Sequence, residues 1–286
     1  MNLRSAGIHI GLAYNGYIDS LNEEQLKEFD YIEIPFELLH YDELVLDRII
    51  KKPLILHCAS LSMAGYVEPA EKIKTAIKKF ISSTGTPWVG EHLSFILAEK
   101  LDENFYEEYA PGEPYNIGYT VGPVMNKASV DHIIEKITRY RNEFEIPFIV
   151  ENSPVYFTTP GSTMSQIEFI NAICNQSDTE LLLDLTHFYI TAHNFSFDPI
   201  RALKKFPMER VKEIHVSGVS TDQEICWDNH AGKAPDIIFK MLEIVLKNCK
   251  PTAITLEYNW ASNFPWTTIS DELSKVKEKV YKTGAL

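Results

Sequence analysis

The chain is predicted to fold as a single parallel (β/α)8 barrel, a TIM barrel, with a long insertion after the fourth strand. Three observations carry this. Eight short apolar runs alternate with eight helix-period segments. No linker, internal repeat or low-complexity tract divides the 286 residues, a normal length for one such barrel. Six of the eight runs end in His, Glu or Asp. An open doubly wound sheet would also alternate strand and helix, but its strand ends lie in a line. A closed ring is what brings six of them toward one centre.

Taken in order, the predicted strands are Ile8–Ala13, Tyr31–Ile34, Leu54–His57, Trp88–His92, Phe148–Glu151, Leu181–Asp184, Val211–His215 and Ala253–Glu257. Pro53, Pro87, Pro147 and Pro251 stand just before strands, where a missing N–H costs little. Helical periodicity predicts helices over Glu23–Phe29, Asp42–Ile50, Pro69–Ser82, Ser129–Phe144, Met164–Cys174, Phe197–Phe206, Pro235–Lys247 and Ile269–Lys282. Asn22, Asp42, Ser129 and Ser270 are candidate amino-terminal caps, since their side chains can accept a bond from a first-turn N–H. Residues 1–286 read as one domain, with residues 94–126 an insertion rich in acids, aromatics and turn formers. Loops of that length in a compact fold are typically lids or binding loops.

Composition narrows the function. The net charge is −13 with no dense basic run, which counts against a nucleic-acid partner, because phosphate contacts supply most of such affinity. No stretch approaches the ~20 apolar residues of a membrane span, and the first residues form no signal peptide. The four cysteines, Cys58, Cys174, Cys226 and Cys249, make no C-x-x-C pair, so free thiols in a reducing cytoplasm are expected. Phosphate-binding glycine motifs and a nucleophile-elbow serine are absent.

The strand ends carry the chemistry. His57, His92, Glu151, Asp184, His215 and Glu257 end strands three to eight, and His187, Asp228 and His230 follow strands six and seven. A lone strand-end His is ordinarily a hydrogen-bonded rim residue; nine such groups at one face are too many for a single ion. Imidazole and carboxylate suit Fe, Zn or Mn. Asp184 and His187, three apart, can face one ion if the chain turns helical there. Asp228 and His230, two apart, can do so from an extended loop. Glu151 and Glu257 could bridge ions ~3.5–4 Å apart, the spacing of two-metal sites.

The order His, His, Glu, Asp-x-x-His, His, Asp-x-His, Glu resembles the zinc-dependent apurinic-endonuclease and xylose-isomerase-like barrels. Local sequence is closer to the multinuclear non-haem iron-dependent oxidative enzymes, which include the oxidase of methanobactin synthesis. The phrases that carry this run from Leu56-His57-Cys58-Ala59-Ser60-Leu61-Ser62 and Glu91-His92-Leu93-Ser94 through Val150-Glu151-Asn152-Ser153-Pro154 and Leu181-Leu182-Leu183-Asp184. They continue in Ile214-His215-Val216-Ser217-Gly218, Asp228-Asn229-His230 and Thr255-Leu256-Glu257-Tyr258. The resemblance implies two or three irons, mixed Fe(II) and Fe(III), and O2-dependent modification of a ribosomally made precursor peptide, commonly at cysteine. It adds Asn152 to the nine ligands. It also implies a separate partner that captures the precursor's leader segment, because no spare segment here forms such a module. The chain departs from the pattern at Val219, where many relatives have a second His, and at Lys127-Ala128-Ser129, where some carry acids. The alternative reading is a zinc phosphodiesterase of the apurinic-endonuclease type.

Overall fold

The computed structural model describes residues 7–42, 45–49, 52–99, 114–259 and 265–284. Strands β1 (His9–Ala13), β2 (Tyr31–Pro35), β3 (Leu54–Cys58) and β4 (Val89–His92) lead into a hairpin, β5 (Phe95–Ala98) and β6 (Tyr115–Val121). Next come β7 (Phe148–Glu151), β8 (Glu180–Asp184) and β9 (Val211–Val216), a second hairpin of β10 (Ser220–Asp222) and β11 (Ile225–Trp227), and β12 (Ala253–Leu256). Hairpins aside, eight strands pair in parallel in chain order, and β12 closes the ring on β1. The eight predicted strands are these eight.

Strand parity decides what faces inward. Tyr31, Ile55, Trp88, Ile149, Leu182 and Ala253 form a buried cluster separate from the main core, the inner floor of the barrel. Side chains two apart share a face of a strand. Glu33, His57, Gly90, Glu151, Asp184 and Thr255 therefore form the next inner layer, nearer the carboxyl ends. The alternate residues, among them Leu56, Val89, Val150, Leu183, Ile214 and Leu256, join the helices in the outer core. Each fully buried aliphatic chain there stabilises the fold by about 1.5–3 kcal/mol. The outer layer thus holds the barrel while the inner layer stays polar.

The helices are α1 (Glu23–Lys27), α2 (Phe36–Tyr41), α3 (Val45–Ile49), α4 (Glu71–Thr84), α5 (Lys127–Phe144), α6 (Gln166–Ser177), α7 (Leu185–Asn194), α8 (Pro199–Leu203), α9 (Asp236–Asn248) and α10 (Trp266–Lys282). Asn22 caps α1 as expected, in a reciprocal capping box with Gln25. Three expected caps move. Asp42 ends α2, which starts straight after Pro35 and buries Phe36 and Leu39, three residues apart. Asn126 caps α5, its Oδ1 accepting from the Ser129 N–H at 3.0 Å. Ser270 lies inside α10, which begins after Pro265. The segment expected over Phe197–Phe206 shortens to α8 because Asp198 accepts from the N–H groups of Ile200 and Arg201. Helix α7 was not among the predicted helices.

The expected insertion contains β5 and β6; residues 100–113, with most of its acids and half of its aromatics, lie outside the described residues. No described helix is long and apolar enough to cross a membrane.

Behind β3, Lys136 of α5 is 1% exposed and donates to the carbonyls of Leu61, Ser62 and Gly65 at 3.3, 2.9 and 3.0 Å. It ties α5 to the loop that leaves β3. Lys136→Met is expected to lower unfolding stability by about 1–3 kcal/mol, the cost of buried carbonyls losing a donor. Chemical denaturation checks this, and an unchanged midpoint would contradict it.

Candidate metal centre

Each of the nine strand-end and loop residues reaches the carboxyl end of the barrel. Parity places the side chains of His57, Glu151, Asp184 and His215 inside the ring, and Glu151, Asp184 and His215 have no exposure at all. The sequence reading set them on the rim; they lie deeper. His92, Asp228, His230 and Glu257 keep 16–29% of their side chains open to solvent. The group therefore has a dry floor and one wet side.

The donor atoms fall into four groups, each within 4.8 Å: Glu33, His57 and His215; His57, His92 and Glu151; Glu151, Asp184, His215 and Glu257; and His187, Asp228 and His230. Glu151 belongs to two of them. Its Oε2 lies 2.7 Å from His57 Nε2 and 3.2 Å from His92 Nε2, while its Oε1 lies 3.2 Å from His187 Nδ1. His215 Nδ1 faces Glu257 at 3.0 Å, Glu151 at 3.7 Å and Asp184 at 3.8 Å. In the last group Asp228 meets His187 Nε2 at 3.1 Å and His230 Nε2 at 2.7 Å.

Local folding explains the placement. Asp184 ends β8 and caps α7, accepting from the His187 N–H at 2.6 Å, so the helical turn brings Asp184 and His187 to one side. Asp228 and His230 converge by a different route from the extended loop expected. His230 sits at φ +52°, a left-handed conformation uncommon for a residue with a Cβ, and the chain turns there. Gly218, after β9, makes room for that loop: a Cβ at this position would lie 1.8 Å from the Gly232 carbonyl oxygen.

Asn152 stands apart from the nine. Its Nδ2 donates to the Asp184 carbonyl at 2.8 Å and its Oδ1 accepts from the Asp184 N–H at 2.9 Å. Both amide atoms bond the Asp184 backbone, so the side chain clips β7 to β8. Its backbone carbonyl does serve the site, accepting from His187 Nδ1 at 2.9 Å. One participant was not anticipated: Glu33, whose Oε2 lies 3.0 Å from His215 Nε2. The signal was an acid inside Tyr31-Ile32-Glu33-Ile34, since parallel strands ordinarily read as unbroken apolar runs.

The residues present fit metal ions on three counts. First, the donors are imidazole and carboxylate, with no thiolate. Second, four buried polar atoms facing this region have no well-aligned hydrogen bond: Glu151 Oε1, Asp184 Oδ2, His187 Nε2 and Asp228 Oδ1. Third, the outward nitrogens of His187 and His230 are tied down as in metal sites, where a ligating His gives its other N–H to an acceptor. His187 Nδ1 bonds the Asn152 carbonyl, and His230 Nδ1 bonds the Glu257 carbonyl at 3.0 Å, which leaves each Nε2 as an electron donor. A His230 Nε2 lone pair held 2.7 Å from a carboxylate oxygen is favourable only with a cation between or beside them.

In the metal-free protein, protons take that part. Burial works against a charged His57, but Glu151 outweighs it and lifts the imidazole to about 10. Burial likewise opposes a charged His230, and Glu257 and Asp228 raise it to about 10. Burial raises Glu257 while His230 and His215 bring it down to about 2. Asp184 is pushed up to about 6 by burial and the charge of Glu151, against the pull of His187. His92 is lowered by burial.

A cavity of about 940 Å³ between α6, α7 and α8 is lined by none of the nine, and its carboxylates Glu168 and Asp198 are engaged in helix caps.

Two outcomes follow from this geometry. Because His57 and His230 titrate near 10, above their ordinary 6.5, their ion pairs stabilise the metal-free fold fully below pH 6.5 and are lost as pH climbs through about 10. Metal binding at pH 7–8 must expel those protons, so affinity should rise with pH and calorimetry in buffers of different ionisation enthalpy should register proton release. A pH-independent affinity would contradict this. Gly218→Ala should separate the loop of Asp228 and His230 from the barrel and lower metal content by roughly one ion per chain, with circular dichroism unchanged. Full metal content would contradict it.

Comparison with known proteins agrees with this architecture. A UPF0276 protein of Shewanella loihica is 28% identical over 82% of this chain and 78% of its own length. Its counterpart in Caulobacter vibrioides is 26% identical over 88% of this chain and 86% of its own. Among solved structures, endonuclease IV from Thermus thermophilus aligns with a TM-score of 0.57 at 13% identity, covering 94% of this chain and 99% of that one. A D-tagatose 3-epimerase-like protein aligns with a TM-score of 0.55 at 15% identity, covering 96% and 100%. At such identities these two share the fold. The family model described as RiPP precursor modification enzyme MbnB/TglH/ChrH matches residues 8–281, and the chain therefore belongs to that family.

Proposed function

We propose that this chain is an iron-dependent, O2-using oxidase or oxygenase that modifies a ribosomally made precursor peptide at cysteine. The observation that carries the reading is Glu151, one buried carboxylate shared by two donor groups, with a third group joined to it through His187. Shared carboxylates let cations sit close together, as multinuclear centres require. Membership in a family of precursor modification enzymes supports a peptide substrate.

Two or three irons, Fe(II) and Fe(III) together, would be held by the groups described above. When bound, iron supplies affinity for a substrate thiolate and the electrons that O2 chemistry needs. The chain's own residues set the conditions. Glu151, Asp184 and His215 exclude water from the floor, where electrostatic interactions are strong. The peptide enters on the wet side, past His92, Asp228 and Glu257. There Tyr156 and Trp227 pack with ring centroids 5.2 Å apart, and the Tyr156 hydroxyl accepts from the Asp228 N–H at 3.1 Å, so an aromatic wall is fixed to a ligand loop. A separate partner would hold the precursor's leader, and buried free thiols suit a reducing cytoplasm.

The rival zinc phosphodiesterase shares the ligand series. Net charge of −13 disfavours it, since a DNA enzyme gains affinity from basic contacts. Anaerobic loading with Fe(II), followed by Mössbauer spectroscopy and peptide mass spectrometry, separates the two. The expected result is about two to three irons per chain and a mass change in a Cys-containing precursor, presented with its leader-binding partner, only after O2 is admitted. Stoichiometric zinc with nicking of abasic DNA would contradict the reading.

A further inference from the structure

Beneath the metal centre the inner barrel holds a polar layer that meets it at Glu33, which shares a donor group with His57 and His215. Thr255 Oγ1 lies 2.7 Å from Glu33 Oε2, 2.9 Å from Glu213 Oε1 and 2.7 Å from the Tyr31 hydroxyl. Trp88 Nε1 donates to Glu213 Oε2 at 2.8 Å. The layer is buried, with Glu213, Tyr31 and Thr255 at 0% exposure and Glu33 at 2%. Its packing depends on Gly11, where a Cβ would come within 2.3 Å of the Tyr31 ring. Burying two carboxyl groups in a barrel floor is costly unless they are bonded and put to use. The neighbouring inner positions Ile55, Ile149 and Leu182 are apolar.

The layer's shortest contact with the centre is to His215. Glu33 Oε2 is 3.0 Å from His215 Nε2, while the opposite nitrogen, Nδ1, faces Glu257, Glu151 and Asp184. His187 and His230 rest their outward nitrogens on backbone carbonyls. His215 rests its own on a side-chain carboxylate, itself held by Thr255.

We propose that Glu33 is a positioning residue for the metal centre. It accepts the Nε2–H of His215, which fixes the ring so that the Nδ1 lone pair points at the ion shared with Asp184, Glu257 and Glu151. A carboxylate acceptor also makes the imidazole a stronger donor than a carbonyl would, as outer acceptors do in metal sites generally. Thr255 keeps the Glu33 carboxylate in register. This role rests on the metal-centre reading above, and the test separates the two.

The probe is Zn(II), which needs no O2 control and is diamagnetic. Parent, Glu33→Gln and Thr255→Val proteins are compared by chelator competition, by 15N-histidine NMR and by melting of the metal-free form. In the parent, the His215 Nε2–H signal should persist on Zn(II) loading while Nδ1 shifts. In Glu33→Gln, affinity for one Zn(II) should fall about 10–100-fold, while the metal-free form melts lower, having lost the charged partner of His215, but still cooperatively. Thr255→Val should move the affinity in the same direction by less, which keeps the role testable even if Glu33→Gln folds poorly. Parent-like affinity in both variants, or loss of the Nε2 proton on loading, would overturn the role of Glu33. A parent that takes up no Zn(II) would overturn the metal-centre reading itself.

Discussion

Carboxylates crowded into a dry space govern this structure. Glu151, Asp184 and Glu257 bring oxygen atoms within 4.8 Å of one another, and two of the three residues are fully buried. At an effective dielectric near 20, each like-charged pair at that separation costs about 3–4 kcal/mol. No buried Lys or Arg among the described residues faces them; Lys136, the buried cation, lies behind β3 against backbone carbonyls. What faces the acids is imidazole. In a metal-free chain His57, His187, His215 and His230 hold the extra protons, and in a loaded one cations take their place.

Tolerance of that cost depends on the scaffold. The outer apolar core stabilises the barrel independently of the inner layer, so the carboxyl ends are free to hold groups that would destabilise a smaller fold. Parallel strands of fixed parity aim successive side chains at the same axis, and the cap at Asp184, the Asn152 clip and the left-handed turn at His230 adjust them. Position here comes from backbone hydrogen bonds. That is why groups distant in the chain can meet within hydrogen-bond distance.

Much of this was legible in sequence, for identifiable reasons. Strand-end residues such as His57 and Glu151 can be found because a ring topology converts "end of strand" into "near the axis". Asp184 and His187 could be paired from helical spacing before α7 was seen. The Asn152 clip was not legible because adjacency to Glu151 says nothing of parity: the next residue along a strand end points elsewhere, here to the Asp184 backbone. Caps at Asn126 and Asp198 were missed because several polar residues compete near each helix start, and only the fold decides among them. Glu33 escaped notice since an acid interrupting an apolar strand names no partner; its contact is to His215, distant in sequence.

The central claim is that these donor groups exist to hold adjacent cations. Anomalous diffraction from crystals of anaerobically iron-loaded protein, recorded at the iron and zinc edges, addresses it most directly. The account predicts two or three iron peaks at the barrel mouth, one between His57, His92 and Glu151 and its neighbour sharing Glu151 with Asp184, His215 and Glu257. A single peak bound elsewhere, or none, with the imidazoles still paired to the acids alone, would contradict it.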